Sequence, residues 1–534
     1  MESQENTAAA SQPGQGANAN MRARTLYQVC REYGGLAGAT GVKNVSRGLA
    51  ESAAAHGWRS AVVLPYYGFL TGRVRKLEKI TDLEVTLLDK TEIVKVWLHR
   101  LNGVEIYLLE SAYVSDKKAV YTYTRESIHL PGRVHVDNEE INLTLQKGAL
   151  ELGKILGAPD IFHAHDAHTA LLSVLAREYS QYADFYAKTQ FVLTLHNLGL
   201  EWHQEIVGLQ KGQALTELPV KVLKKGIITG DTIDPLILAA HYSHITTVSP
   251  EFADEIFDEQ NSLTLGYVGN YYQEHGIKVT GIYNGINFAA MDPRKPNPPD
   301  FPLAYDPTDQ RNHIRMLYRD MLICLSQETE MEGNMEKYGY LVQDPDMILC
   351  AVQSRILYEK GIDYLCDALN IVFQQHAHVS VAVMGDGDQT LEYKLIALSK
   401  NPLFFGRFVY WRGYSDKLIY PLLAGSDLFI MPSVYEPCGF ADLYAQTYGC
   451  LPIVHYTGGL KKVVDKVNGF TFQPLDVRRL SKAILSSLKI FKEDPQRIYA
   501  MRKNAFQYVQ EQFDWLVIFK KYYQSFYEEC LNKG

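Results

Sequence analysis

Short apolar runs, most of them closed by Gly, Asn, Asp or Pro, recur along the chain and set its architecture. In the first half they are Thr25–Cys30, Ala61–Tyr67, Ile161–His168, Phe191–Asn197, Ile245–Pro250 and Val279–Ile286. In the second half they are Met347–Gln353, Val381–Asp388, Phe408–Tyr414, Asp427–Met431 and Leu451–His455. Most are apolar on both alternating sets of positions, the pattern of parallel strands buried on both faces. Helical patterns lie between them, including 42–55 and 441–448, so strand and helix alternate as in doubly wound α/β units. Val94–Leu109 differs: it alternates around Asn102-Gly103, which predicts a hairpin. Met291–Asp309 carries six prolines in a polar run and cannot continue a helix or a central strand, so it predicts an interdomain linker. A helix over 310–327 straddles the boundary. The last segment, Pro495–Leu531, has helical periodicity, with Trp515, Ile518, Phe519, Tyr522 and Phe526 on one stripe. There is no internal repeat and no coiled coil.

Length turns this pattern into two domains, because 534 residues exceed one ordinary core. The expected organisation is a disordered leader at 1–20, an acceptor-side Rossmann-like domain at 21–305, a nucleotide-sugar-binding Rossmann-like domain at 306–515 and a final helix at 516–534. Residues 1–20 are rich in Ala, Gln, Gly, Asn and Ser without an apolar centre, unlike a signal peptide. The net charge of −8 argues against coating nucleic acid. The seven cysteines are scattered without a CxxC pair, which fits reduced thiols in a cytoplasm better than a disulfide framework or a zinc site. No apolar run is long enough to span a membrane. Most of the 35 tyrosines are expected in the core.

The candidate chemistry centres on Tyr435–Leu460, YEPCGFADLYAQTYGCLPIVHYTGGL. Glu436 sits in a Pro437-Cys438-Gly439 turn between a buried strand and a helix start. Thr457-Gly458-Gly459 follows the next strand. Strand, tight turn and helix N-terminus gather unpaired backbone N–H groups where an anion binds. A carboxylate beside such a surface can face a cationic sugar carbon, which points to glycosyl transfer from an activated sugar. Gly34-Gly35 after the first strand allows close approach to a pyrophosphate. Arg355 and Lys360, beyond the strand Met347–Gln353, can straddle a diphosphate. IFHAHDAH at 161–168 admits a metal reading, but its order of His and Asp is not that of a dinuclear zinc hydrolase. The other reading places Asp166 at the carboxyl edge of a sheet, where open α/β folds bind ligands.

Several motifs together resemble the bacterial glycogen synthases and plant starch synthases, over roughly residues 25 to 530. They are EPCG followed by L-Y-A-x-x-Y-G-x-L-P and TGGL, Ser354-Arg355 with Lys360-Gly361, His163–His168, Thr194–Asn197 and Asn284-Gly285. The resemblance implies the GT-B fold, two Rossmann-like domains around a deep cleft, with the final helix crossing back to the first domain. It also implies retaining transfer of glucose from a nucleotide diphosphate-glucose, most often ADP-glucose, to an α-1,4-glucan without a metal or other cofactor. By the same resemblance Glu436 stabilises the anomeric cation, while His196 and Asp166 line the sugar pocket with Asn197 beside them. Arg355 and Lys360 hold the diphosphate, assisted by Gly34, Gly35, Gly385, Cys438, Gly439, Phe440, Thr457, Gly458 and Gly459. Tyr121 and Tyr123 fall where acceptor loops are expected.

One position departs from the family pattern. Glu32 stands where the family carries a donor-contacting lysine, and a carboxylate cannot do that work; Lys43 is the available substitute. Two alternatives stand beside this reading: a transferase with another sugar acceptor, and, motivated by Glu32, a catalytically weak glucan-binding scaffold. Tyr444, eight residues after Glu436, occupies the second position of the Glu-x7-Glu element usual in relatives with small acceptors, which disfavours the first.

Overall fold

A computed structural model describes residues 22–121, 135–296, 302–309, 313–329 and 335–533. Tyr123 and the segment 1–20 lie outside these residues. The first domain is built on β1 (Thr25–Val29), β2 (Arg59–Pro65), β3 (Glu78–Leu87), β4 (Lys90–Leu101), β5 (Val104–Glu110), β6 (Ile161–His165) and β7 (Gln190–Leu195). A two-stranded ribbon, β8 (Ile206–Val207) and β9 (Thr232–Ile233), precedes β10 (His244–Thr247) and β11 (Val279–Gly281). The main sheet runs β11-β10-β7-β6-β1-β2-β5-β4-β3, parallel up to β5 and antiparallel at β4 and β3. Asn102 and Gly103 turn β4 into β5 with φ of 50° and 80°, the left-handed pair that a two-residue hairpin demands.

The second sheet uses β12 (Glu336–Leu341), β13 (Ile348–Gln353), β14 (Val379–Gly385), β15 (Arg407–Arg412), β16 (Leu428–Met431), β17 (Leu451–His455) and β18 (Phe470–Phe472). Its order is β12-β15-β14-β13-β16-β17-β18, with β12 the antiparallel member. Each sheet is covered by helices, and Val379, Val381 and Val383 of β14 are fully buried. The helix His313–Gln327 packs Tyr318 and Leu322 into the second core, so it belongs to that domain. Among the described residues no helix is long and apolar enough to cross a membrane.

The domains touch along the segment that begins at Tyr435 and ends at Lys461. Ser249 Oγ donates to the Pro437 carbonyl at 2.7 Å, the ring of Tyr435 meets Phe252 edge-on, and Glu255 accepts from Gly458 N at 2.9 Å and from Lys461 Nζ at 3.0 Å. The C-terminal segment does cross back. Ile286 N donates to Phe513 O and Trp515 N to Ile286 O, and Trp515, Ile518 and Phe519 then join Leu26, Val45, Leu49 and Ile161 in one buried cluster.

The predicted stripe holds only as far as Phe519. The segment breaks at Phe513, and residues Phe519–Tyr523 form a π-turn. A π-turn adds one residue per turn, which moves the buried face one position on. Tyr523, Tyr527 and Cys530 are therefore buried, whereas Tyr522 and Phe526 lie at the margin. The crossing seats the Trp515 indole on Gly48, where a Cβ would fall 2.0 Å from Nε1. Gly→Ala inside a helix ordinarily stabilises by about 1 kcal/mol. Gly48→Ala is expected to reverse that sign, costing about 1–3 kcal/mol through overpacking. A thermal melt with a raised midpoint would show that the indole does not sit there.

Candidate active site

A cavity of about 540 Å³ opens between the carboxyl ends of the two sheets, within the size range of small-molecule sites. Its second-domain wall begins where β16 ends and Pro432 stops the strand. Gly361, at φ 66°, lies so close to Pro432 that a Cβ would come within 2.0 Å of the Pro432 carbonyl oxygen. This approach delivers the preceding Lys360 to Glu436, with Nζ–Oε2 at 2.7 Å, while Ser433 Oγ donates to the same oxygen at 3.2 Å. Burial works to raise the Glu436 carboxyl. Lys360, Lys462 and Ser433 outweigh it and hold the group below the usual carboxylate range. Arg355 also lines the cavity, with Nη2 on Glu359 Oε1 at 2.6 Å. Cys438, Gly439 and Phe440 complete this wall. Burial pushes the Cys438 thiol up to about 11, so the cysteine shapes the turn and is no nucleophile.

The facing wall comes from the ends of β6 and β7. Asp166 follows β6 at φ 57°, a left-handed conformation that costs a non-glycine residue on the order of 1–3 kcal/mol and concentrates at functional sites. It accepts from His196 N at 2.7 Å. Burial raises its carboxyl to about 7; that bond opposes the rise and Glu32 adds to it. His196 and Asn197 line the cavity beside Asp166. Burial, reinforced by His165, keeps His196 well below the usual imidazole range, so it is neutral. Glu436, Lys360, Arg355, Asp166, His196 and Asn197 thus meet in one cavity.

Other expected residues lie elsewhere. Gly34 and Gly35 do not line the cavity: Gly34 N is bonded to Lys43 O, and Gly35 packs on Arg47. The first-domain rim is displaced to Ala39–Val42, with Gly41 against the Phe440 ring. Lys43 lays its aliphatic chain over Gly38 and is no cavity cation. Gly385 is also off the wall, replaced there by Asp386 and Gly387. The N–H groups of Thr457, Gly458 and Gly459 are occupied by His455 O, Glu255 Oε1 and Glu436 O. A Cβ on Gly458 or Gly459 would strike the Glu436 or Cys438 carbonyl, so this turn supports Glu436 instead of facing a phosphate. Tyr121 is 4 % exposed, lodged between the Arg31 guanidinium and the His168 ring, and offers no acceptor platform.

Glu32 is fully buried and fully used. Its carboxylate accepts from Ala39 N, Thr40 N and Thr40 Oγ1, each at 2.7 Å, and so ties down the rim loop from within. Glu32→Lys, which restores the family residue, is expected to lower the melting temperature rather than improve the protein. It leaves three donors facing a buried ammonium, at about 1–3 kcal/mol for each unmade bond. A melting temperature at or above that of the unmodified chain would refute this account.

Other residues of the site were not singled out for a role by the sequence, although Asn284 lies in the Asn284-Gly285 motif. Asn284 is 2 % exposed, and its Oδ1 has no hydrogen-bond partner at the cavity wall. Trp202 lines the same wall. Lys462, buried beneath the turn, donates to the carbonyls of Cys438, Gly439 and Gly459 and faces Asp442 at 3.1 Å. Two groups could hold a metal among the described residues, His203-Glu205-Asp234 and Asp344-Asp346-His378, and neither includes the 161–168 histidines. In the first, both His203 ring nitrogens are already bonded, to Asp234 and to Leu198 O.

Comparison with known proteins places this arrangement. Residues 26–270 match the family model described as the starch synthase catalytic domain, and residues 346–489 that of glycosyl transferases group 1. The chain is 25 % identical to a glycogen synthase of Aliivibrio fischeri (strain MJ11), covering 94 % of this chain and 98 % of the relative. It is 28 % identical to a glycogen synthase of Streptococcus gordonii, over 89 % and 93 %. The catalytic domain of starch synthase IV from Arabidopsis thaliana, solved with ADP and acarbose, superposes with a TM-score of 0.79 at 21 % identity, over 96 % of this chain and 100 % of that one. The fold is GT-B.

Proposed function

The chain belongs to the glycogen and starch synthase family and is a glucosyltransferase that elongates a glucan; from that premise we propose that ADP-glucose is its donor and that the cavity described above performs the transfer. The Lys360–Glu436 pair at the cavity wall carries the reading. As the bond from the anomeric carbon to the diphosphate breaks, positive charge grows on the sugar and negative charge on the leaving group. Glu436, kept ionised by Lys360, faces the first, and Arg355 and Lys360 face the second. Preorganised charges of this kind supply much of the rate in transfer reactions. The acceptor hydroxyl of the glucan attacks from the side the diphosphate leaves and passes its proton to the departing diphosphate oxygen, so the configuration is retained without a covalent enzyme intermediate. Asp166 and His196 position the sugar, and enclosure between the domains limits hydrolysis.

The two cations at the diphosphate support a reaction that needs no divalent metal. Seven unpaired cysteines support residence in a reducing cytoplasm. The test is incorporation of labelled glucose into glycogen from ADP-glucose and from UDP-glucose, each with and without EDTA. Incorporation from ADP-glucose that EDTA leaves unchanged is expected. Preference for UDP-glucose would overturn the donor, and retention on glycogen without incorporation from either would bring forward the scaffold reading raised by Glu32.

A further inference from the structure

A chain of hydrogen bonds runs behind His196 into the first-domain sheet. His196 Nε2 lies 3.0 Å from His165 Nδ1, and His165 Nε2 lies 2.9 Å from Gln28 Oε1. Gln28 Nε2 donates to the Ser46 carbonyl at 3.2 Å, which turns its own carbonyl oxygen towards His165. A carbonyl only accepts, so His165 carries its proton on Nε2 and presents a lone pair at Nδ1. That lone pair in turn requires the proton of His196 on Nε2. His163 braces the relay: it stacks on His165 at 4.6 Å and is held by Tyr527 OH at 2.7 Å and Thr194 Oγ1 at 2.6 Å.

We propose that Gln28 and His165 are positioning residues that fix the tautomer of His196, so that its Nδ1 offers the cavity a lone pair for a hydroxyl of the glucosyl unit. The inference rests on the reading of the cavity as the transfer site. No protein group takes His196 Nδ1 among the described hydrogen bonds, and it is absent from the buried unpaired atoms, so it opens on the cavity that His196 lines. A neutral acceptor there orients the sugar without setting a cation beside the anomeric charge.

Gln28→Glu tests this with an isosteric change. When ionised, the new carboxylate draws a second proton onto His165, whose Nδ1–H then forces the His196 proton to Nδ1. When neutral, the carboxyl repeats the amide, its O–H donating to Ser46 O and its C=O accepting from His165. The titratable groups facing the relay are His163, His165 and His196, Asp166 and Glu32, and Tyr523 and Tyr527 of the C-terminal segment. At pH 8 the kcat of Gln28→Glu is expected to fall about a hundredfold, the scale for one misdirected hydrogen-bonding group. As the pH drops towards 6 the ratio of variant to unmodified kcat should recover, with donor KM changing less than kcat. Gln28→Met, unable to accept, should stay low throughout. Full activity of Gln28→Glu at pH 8, or a deficit independent of pH, would overturn the proposal. Nitrogen-15 histidine spectra of the unmodified protein, with His196 assigned by its loss in His196→Gln, read the tautomer directly. Protonation at Nε2 supports the relay even if no transfer is detected, and protonation at Nδ1 rejects it.

Discussion

Glu436→Ala is expected to lower glucose transfer by on the order of a thousandfold, the upper range for removing one preorganised electrostatic group, while ADP affinity stays within a few-fold. The two readouts separate because, in the proposed mechanism, the carboxylate serves the sugar and the neighbouring cations serve the diphosphate. Removing Glu436 frees Lys360 from its 2.7 Å partner, which leaves the anion side of the site no weaker. Calorimetric titration with ADP beside a turnover assay checks both, and transfer at the unmodified rate would sink the assignment. The pH dependence has a definite sign. Glu436 is held below its ordinary value of 4.5, so its ionised form persists as pH falls towards that value. A loss of activity between pH 7 and 5 would therefore have to come from another group: Asp166, raised to about 7 at the cavity wall, and Asp442, raised to about 6 beneath the turn, are both placed to titrate there.

Lys462→Met is expected to be the most destabilising single change near the site. The Lys462 and Asp442 side chains are 1 % and 0 % exposed, and the ammonium ties together three carbonyls of the turn that carries Glu436. Breaking one side of such a buried pair costs about 3–5 kcal/mol, because the remaining charge has no partner. Burial already pushes Asp442 up to about 6 despite the lysine. Asp442→Asn added to Lys462→Met removes that stranded charge, so the double variant should regain part of the loss in chemical denaturation and more of kcat. A single variant within about 1 kcal/mol of the unmodified chain would show that the lysine merely fills space.

The strands at the centres of both sheets were legible because burial on two faces writes an unbroken apolar run, as in β14 and β16. The edges were not. β3 (EKITDLEVTL) and β12 (EKYGYL) keep polar side chains on an exposed face and so look like loop. Glu436, Lys360, Arg355, His196 and Asp166, which share one cavity, could be singled out because each follows a strand end in a recognisable motif. Lys462 was missed because a lysine after a glycine turn ordinarily reaches solvent, and only the folded turn reveals three carbonyls converging on it. The Gly34-Gly35 expectation placed the backbone approach a few residues too early. What decides that placement is Glu32 bonding forward to Ala39 and Thr40, a contact no periodicity reports. The final stripe failed at Tyr522 because a single π-turn shifts the phase of everything after it.

The crossing of the C-terminal segment also bears on how the protein is made. Among the described residues, the face formed by Leu26, Val45, Leu49 and Ala53 is covered by the C-terminal segment, through Trp515, Ile518, Phe519, Tyr523, Tyr527 and Cys530. At about 5–20 residues per second on the ribosome, the first domain emerges with that face bare and waits on the order of ten to fifty seconds for its cover. Until Trp515, Phe519 and Tyr527 have left the exit tunnel, the nascent first domain carries an apolar face that its own residues leave open.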